Sequence, residues 1–189
     1  MVQATNYTWH RDSVRNETDA GSAMTAAYVR RPNTFGSLVS EERVRNTFTH
    51  SYDALGSTTE LTDANEMITD SFRYSAFGET VQRSGATRTP YAWVGKTGYQ
   101  AEPSNVTYVR SRSYLASHGR WLSRDPTLLD RWDFDDVYRY ANNSPAMLID
   151  PSGWLPEFTN GKWTMTLYWL ALPYSMTMPP RTHLDGERP

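Results

Sequence analysis

Two aspartates, each followed directly by proline, are the residues of this chain whose types and spacing could do chemistry together. Asp125 opens the stretch DPTL and Asp150 opens the stretch DPSG. Two carboxyl groups that are forced close together cannot both ionise, so one keeps a proton as an acid while the other acts as a base on water. The same composition also fits a purely structural role, because Asp, Pro and Gly at the first, second and fourth positions are typical of a type I turn. The residues alone favour the turn.

Charge and composition limit the other kinds of chemistry. The formal net charge is -2, so no overall field would attract nucleic acid or an anionic membrane. The absence of cysteine excludes disulfides, thiolate metal sites and Cys nucleophiles. The four histidines are scattered, and the acidic stretch 130–136 departs from the calcium-loop pattern at Val137. We therefore expect no metal, no cofactor and no nucleic-acid partner.

Two further patterns have a structural explanation that we favour over a functional one. The stretch PYAWVGKT at 90–97 nearly matches a phosphate-binding loop, but Pro90 stands where the first glycine must be. Between residues 108 and 132, arginines alternate with Tyr and Trp. Such interleaving could bind nucleic acid through stacking, but we favour arginines that stack on aromatic rings across a sheet face.

Aromatic side chains have to supply most of the core. The 189 residues include seven Trp, twelve Tyr and six Phe, and such rings bury large areas and suit the pleated surface of a sheet. The N-terminal stretch MVQATNYTWHRDSV has no apolar run of the kind a signal peptide carries. The most apolar stretch, 163–172, is about half as long as a membrane helix. We expect a mainly β fold with little helix, no signal peptide in this chain and no membrane span.

Four segments in the first half repeat a common pattern. The clearest two read YDALG and YSAFG, and the four leading tyrosines, about 22 residues apart, are Tyr7, Tyr28, Tyr52 and Tyr74. This period allows two short strands and two turns per unit, so it predicts a train of β-hairpins that stack on their neighbours. The alternation of residues predicts strands at 44–52 and 67–74, with turns at 53–56, 63–66 and 75–78.

The second half has a different character. Strict alternation from Tyr108 to Tyr114 predicts one continuous strand, with Arg110 and Arg112 on the same face as the two tyrosines. A turn at 118–119 and a further strand at 120–124 follow. We divide the chain into β-hairpin repeats at 1–87, a closing block at 88–154 and a short variable tail at 155–189.

The order of the motifs matches a known family. YDALGSTTELTDA, RYSAFGETV, VGKTGYQ, YVRSRSY, GRWLSRDP and VYRYANNSPAMLIDPSGW follow one another as in the C-terminal core of RHS/YD-repeat proteins, which the chain resembles over about residues 5–154. That family includes bacterial polymorphic toxins and the shell component of insecticidal toxin complexes. The resemblance implies YD-repeat hairpins that spiral into a hollow shell, an RHS repeat-associated core plug at 88–154, and an enclosed toxin segment after it. The implied partners are the N-terminal repeats of the shell and the C-terminal toxin segment; full-length relatives are secreted or lie at the cell surface.

The resemblance also implies self-cleavage. In many bacterial members, two Asp-Pro-x-Gly elements act as an aspartic-protease-like pair, and the chain is cut just after the second element. Carried over to this sequence, the pair is Asp125 and Asp150, and the cut falls between Trp154 and Leu155. Leu128 stands where the first element of the family has glycine, a residue that often serves a positive φ. At most, the chain would be a single-turnover autoprotease.

Two other functions remain open. A β-rich module with exposed aromatic residues could bind glycan or protein, as some surface YD-repeat proteins do. The chain could also be an inert, degenerate fragment. The tail at 155–189 is expected to be too short for an enzymatic core of its own.

Overall fold

The computed structural model describes residues 5–10, 13–32, 35–102, 105–125 and 136–154, together with the backbone of a two-residue strand at 157–158. These residues form antiparallel sheets and short 3₁₀ turns, which confirms the predicted mainly β fold. The strands are β1 Asn6–His10, β2 Ser13–Thr18, β3 Met24–Arg30, β4 Leu38–Arg43, β5 Asn46–Tyr52, β6 Thr58–Thr62, β7 Ile68–Tyr74, β8 Thr80–Ser84, β9 Gln100–Ala101, β10 Val106–Val109, β11 Arg112–Leu115, β12 Arg120–Trp121, β13 Leu148–Ile149 and β14 Glu157–Phe158. Among the described residues, no helix is long and apolar enough to cross a membrane.

The first eight strands form a single antiparallel sheet in which every strand pairs with its neighbour in sequence. Aspartate starts several of the turns between them, since one Oδ1 accepts the backbone N–H groups two and four residues further on. This occurs at Asp19, Asp53 and Asp63. Such local bonds offer the backbone a ready turn. They confirm the turns predicted at 53–56 and 63–66, and strand β7 lies within one residue of its prediction.

One face of this sheet is buried under the chain that follows it. Tyr91, from beyond β8, packs in a buried cluster with Val14, Ala26, Tyr28 and Leu38. The rings of Tyr28 and Tyr91 meet edge to face, with their centroids 4.9 Å apart. The chain after β8 therefore folds back over the sheet and helps to close its core.

The second half forms a smaller sheet in the order β12-β11-β10-β9, and its core is aromatic. Neighbouring ring centroids lie 4.5–5.7 Å apart in a buried group made of Trp93, Tyr99, Tyr114, Trp121 and Tyr140. Tilted and edge-to-face rings attract each other beyond the area they bury. The expectation that aromatic residues carry the core is confirmed here.

Backbone contacts join the two halves. The amide of Thr58 donates to the carbonyl of Ala92 at 2.9 Å, and the amide of Lys96 donates to the carbonyl of Gly56 at 3.0 Å. Gly78, at φ 92, lies directly against the indole of Trp93, where a Cβ would come within 2.3 Å of the ring. The glycine of the YSAFG motif is thus required by close approach as well as by its backbone conformation.

Two predicted strands are wrong in their bounds for the same physical reason. The strand predicted at 44–52 begins only at Asn46, because Val44 and Arg45 form the hairpin turn with φ of 49° and 67°. The continuous strand predicted from Tyr108 to Tyr114 is broken by a second two-residue turn, in which Arg110 has φ 48°. Such turns normally carry Asn, Asp or Gly, so Val-Arg and Arg-Ser gave no sequence signal. The strand predicted at 120–124 is confined to β12.

Candidate functional site

Asp150 occupies the first position of a turn that directly follows β13. The amide of Gly153 donates to the carbonyl of Asp150 at 3.1 Å, and Gly153 has φ 71°. Its carboxylate Oδ1 accepts the hydroxyl of Ser152 and the amide of Trp154, both at 3.0 Å. The turn expected from composition is therefore present, and its aspartate is bonded to the residue that precedes the predicted cut.

The hairpin turn between β10 and β11 holds this segment from the other side. Arg110 Nη1 donates to the carbonyl of Pro151 at 2.5 Å. The hydroxyl of Ser111 lies 2.7 Å from the carbonyl oxygen of Gly153 and 2.9 Å from that of Ser152. A Cβ on Gly153 would lie 2.5 Å from the carbonyl oxygen of Val109, so only glycine allows this approach.

One arginine, Arg112, joins the two predicted aspartates. Its Nη1 lies 2.9 Å from Oδ2 of Asp125, and its Nη2 lies 3.0 Å from Oδ2 of Asp150. Its Nε donates to the carbonyl of Gly153, and its guanidinium lies 4.1 Å from the ring centroid of Trp121. The arginine side chain is 2% exposed, so its charge has to be compensated inside the protein, where it contacts both carboxyl groups.

The structure thus brings Asp125 and Asp150 to the same guanidinium. The backbone amide of Asp125 donates to the carbonyl of Val137 at 2.9 Å, which fixes the end of the chain segment that follows β12. Its side chain is 12% exposed, compared with 2% for Asp150. Leu128 and Leu155, together with the acidic stretch 130–135, lie outside the described residues.

Burial and the charge of Arg112 act in opposite directions on the pKa of the second aspartate. Removal from water raises the pKa of Asp150 above its ordinary value of 3.8, and the positive charge of Arg112 is the main opposing influence. A low-dielectric environment disfavours the charged form of a carboxyl group. Its Oδ2 accepts from the guanidinium of Arg112, and its Oδ1 accepts from the hydroxyl of Ser152 and the amide of Trp154.

Arg112 is the residue of this site that the sequence did not single out. The alternation predicted it as one member of a strand face, with arginines stacked on aromatic rings. The stacking is confirmed at Trp121, and Arg110 lies over Phe35 with 4.6 Å to the ring centroid. One sequence signal could have identified Arg112. It lies two residues before Tyr114, on the same face of the strand, and Tyr114 is a fully buried core residue. An arginine on a buried face needs carboxylate partners, so such a position predicts an ion pair.

Comparison with known proteins finds similarity to bacterial tRNA nucleases and toxin subunits. No protein-family profile matches it. It is 30% identical over 154 residues to the tRNA3(Ser)-specific nuclease WapA of Bacillus spizizenii, over 79% of this chain and 6% of that protein. It is also 30% identical over 109 residues to the toxin subunit YenC2 of Yersinia entomophaga, over 56% of this chain and 11% of that protein. The chain therefore spans only a small part of the relatives it matches.

Comparison with solved structures shows the fold of this chain. The crystal structure of TcdB2-TccC3 matches with a TM-score of 0.61 and 20% identity, over 80% of this chain and 8% of that one. The chain has the fold of a segment of TcdB2-TccC3. The Photorhabdus luminescens Tc holotoxin pore matches with a TM-score of 0.60 and 20% identity, over 82% of this chain and 8% of that one. The antiparallel sheets described above thus have the same fold as a segment of each of these two structures.

Proposed function

We propose that the chain is the closing end of an RHS/YD-repeat shell that encloses a toxin, and that it cuts itself once between Trp154 and Leu155. The observation that carries the proposal is the single buried guanidinium of Arg112, which contacts Asp125, Asp150 and the carbonyl of Gly153. Similarity to WapA and to YenC2 supports a toxin context. The fold shared with TcdB2-TccC3 supports a place in the shell.

The two aspartates take different roles in the proposed cleavage. Asp125 is the base: it takes a proton from water while the hydroxide adds to the carbonyl carbon of Trp154. Asp150, whose pKa is raised by burial, is the acid: it gives its proton to the amide nitrogen of Leu155 as the C–N bond breaks. The products are a carboxyl group on Trp154 and an amine on Leu155. A pair of carboxyls in unequal environments suits such acid–base chemistry.

Arg112 and the turn beside it provide positioning. The guanidinium holds both carboxyl groups at fixed places, and its Nε holds the Gly153 carbonyl one residue before the predicted cut. Ser111 bonds to the same carbonyl. Holding a reacting segment in one geometry removes much of the entropic cost of reaction. The contacts of this clamp that are described above reach Asp150, Pro151, Ser152 and Gly153, which all lie before the predicted cut.

The experiment that tests the proposal compares aspartate variants by intact-mass spectrometry. The chain is expressed together with the N-terminal repeats that would complete the shell, called its shell repeats below. We expect wild type to give two pieces separated after Trp154. Asp125→Asn and Asp150→Asn keep the shape of each side chain. The amide group of asparagine cannot act as an acid or a base as a carboxyl group does, so both variant chains should remain whole. Asp136→Asn is the matched control, because Asp136 pairs with Arg120 at 2.5 Å outside the site, and this variant should cut as wild type does. Equal processing of all four proteins would overturn the proposal.

A second candidate function is binding of glycan or protein through exposed rings. It is favoured by Tyr7 and Trp9, two residues apart on β1, which are 38% and 46% exposed. Trp93 and Trp121 are buried at 5% and 2% exposure and cannot take part. A glycan array that shows binding by wild type and loss with Trp9→Ala would support this function; an array without hits would remove glycan as the ligand.

A further inference from the structure

Two buried tyrosines lie directly behind Asp150. The hydroxyls of Tyr99 and Tyr140 are 2.9 Å apart, and both residues are 0% exposed. The oxygen of Tyr99 accepts the backbone N–H of Asp150 at 2.9 Å. A side chain 51 residues away in sequence therefore receives the amide hydrogen of the proposed acid.

The phenol pair remains neutral under ordinary conditions. Burial is the main cause that raises the pKa of both Tyr99 and Tyr140 well above 10. Each hydroxyl therefore keeps its proton, and one of the two must donate to the other. Tyr99 remains an acceptor for the Asp150 amide throughout the pH range in which a carboxyl pair would work.

Four contacts then define where the Asp150 carboxyl group lies. Its Oδ2 accepts from Arg112, and its Oδ1 accepts from the hydroxyl of Ser152 and the amide of Trp154. These three contacts are made to the carboxyl group itself, so they depend on whether it holds a proton. The fourth is made by Tyr99 to the backbone N–H of Asp150 and does not depend on that proton.

We infer that Tyr99 is a positioning residue for the self-cleavage, and that Tyr140 acts through Tyr99; this inference rests on the proposed function. Tyr99 sets the place of the Asp150 backbone, and the backbone sets the distance from the carboxyl group to the bond that is cut. Tyr140 orients the Tyr99 hydroxyl. Neither tyrosine takes part in proton transfer.

A general role in core stability would give a different pattern of variants, and Tyr114 provides the matched control. Tyr114 belongs to the same aromatic core, with its ring centroid 4.5 Å from that of Tyr140, and is equally buried. Its hydroxyl donates to the carbonyl of Phe77 at 2.8 Å, away from Asp150. Tyr114→Phe therefore removes one hydroxyl hydrogen bond from the same core and leaves the site contacts in place.

The first measurement is the rate of cleavage of the full chain with its shell repeats. We expect Tyr99→Phe to cut about tenfold more slowly, since a small misplacement of a reacting group has effects of this order or greater. Tyr114→Phe should cut within about twofold of wild type despite a similar loss of melting temperature. Tyr140→Phe should be slower than wild type but should add nothing to Tyr99→Phe in the double variant, because dependent contacts are not additive.

The second measurement detects the hydrogen bond from the Asp150 amide to the Tyr99 hydroxyl. In chains kept whole by Asp125→Asn, the amide ¹H–¹⁵N resonance of Asp150 should shift with Tyr99→Phe and stay in place with Tyr114→Phe. Should Tyr99→Phe fail to fold, Tyr140→Phe carries both measurements, and an unchanged rate together with an unchanged Asp150 resonance then overturns the inference.

The outcomes separate this inference from the proposed function. If wild type stays whole, the proposed function fails and the positioning role falls with it. If wild type cuts and Tyr99→Phe cuts equally fast, only the positioning role is overturned. Equal slowing by Tyr99→Phe and Tyr114→Phe would show a general effect of the core and would also overturn it.

Discussion

Arg112 donates from Nη2 to Oδ2 of Asp150 across 3.0 Å, and both side chains are 2% exposed. The other terminal nitrogen of the same guanidinium lies 2.9 Å from Asp125. A buried cation is tolerated only with such compensation. The two aspartates are therefore not an isolated pair that shares one proton, as the sequence alone suggested, but two carboxyl groups arranged around a fixed positive charge.

Loss of the arginine charge should be costly. Arg112→Gln leaves Asp150 buried without its partner, so we expect a loss of about 3–5 kcal/mol in the free energy of unfolding, and no self-cleavage. The measurement is urea unfolding followed by Trp fluorescence. Arg120→Gln is the control, because the Arg120 side chain is 53% exposed and its ion pair should contribute less than about 1 kcal/mol. Equal losses in both variants would contradict the buried bridge.

Gly153 should be intolerant of any side chain. Gly153→Ala places a Cβ 2.5 Å from the carbonyl oxygen of Val109 at a φ of 71°, so we expect a loss of about 2 kcal/mol or more and much slower cleavage. The measurement is the melting temperature together with the cleavage rate. Gly21→Ala, where the nearest atom to a new Cβ is Asp19 Oδ1 at 3.3 Å, should behave almost as wild type. A mild effect of Gly153→Ala would show that the turn does not approach β10 so closely.

Two buried groups of the first sheet should give opposite pH dependences. Burial raises the pKa of Glu41 from 4.5 to about 7, against the nearby charge of Arg43. Burial also lowers the pKa of His50 from 6.5 to about 3, helped by the charges of Arg30 and Arg43. The two side chains face each other with 4.0 Å between His50 Nε2 and Glu41 Oε1.

The signs follow from proton linkage. Folded Glu41 binds more protons than unfolded Glu41 between pH 4.5 and 7, so its contribution to stability is lost as pH rises through that window. Folded His50 binds fewer protons between pH 3 and 6.5, so its contribution is lost as pH falls through that window. Denaturant unfolding at a series of pH values should show stability rising with pH in Glu41→Gln and falling with pH in His50→Gln. Parallel pH curves for both variants would refute the assignment.

The turn between β4 and β5 offers a stabilising change. Val44 has φ 49° and is 87% exposed, and Arg45 has φ 67°. Replacing Val44-Arg45 with Asn-Gly supplies residues that accept this backbone, so we expect a gain of about 1 kcal/mol. The measurement is thermal unfolding, with Val81→Asn as a control for the removal of an exposed valine from the strand β8. A destabilised Asn-Gly variant would show that the turn has another conformation.

Local chemistry explains which parts of the fold could be predicted. The carboxylates of Asp53 and Asp63 accept backbone N–H groups within their own turns. The residues that form each turn are therefore adjacent in sequence, and the turn can be predicted from them. The turn at Asp150 is of the same kind and was also expected. The turns at Val44-Arg45 and Arg110-Ser111 could not be predicted, because their residues do not favour a positive φ and the pairing of the flanking strands imposes it.

The site was predictable only in part, for the same reason. Asp125 and Asp150 could be named because each begins an Asp-Pro motif. Their partner Arg112 and the supporting residue Tyr99 come from other parts of the chain and meet Asp150 only through the fold, over 38 and 51 residues. Alternation correctly placed Arg112 on the face of Tyr114 but wrongly placed Tyr108 there, because the turn at Arg110 pairs Val109 with Arg112. It carried no information about what that face would contact.

The central claim is tested most directly by the intact mass of the purified wild-type chain expressed with its shell repeats. The account predicts a fragment that begins with Leu155 and a remainder that ends with Trp154, and it predicts that Asp150→Asn removes both. A wild-type chain of undivided mass, unchanged by Asp150→Asn, would contradict it.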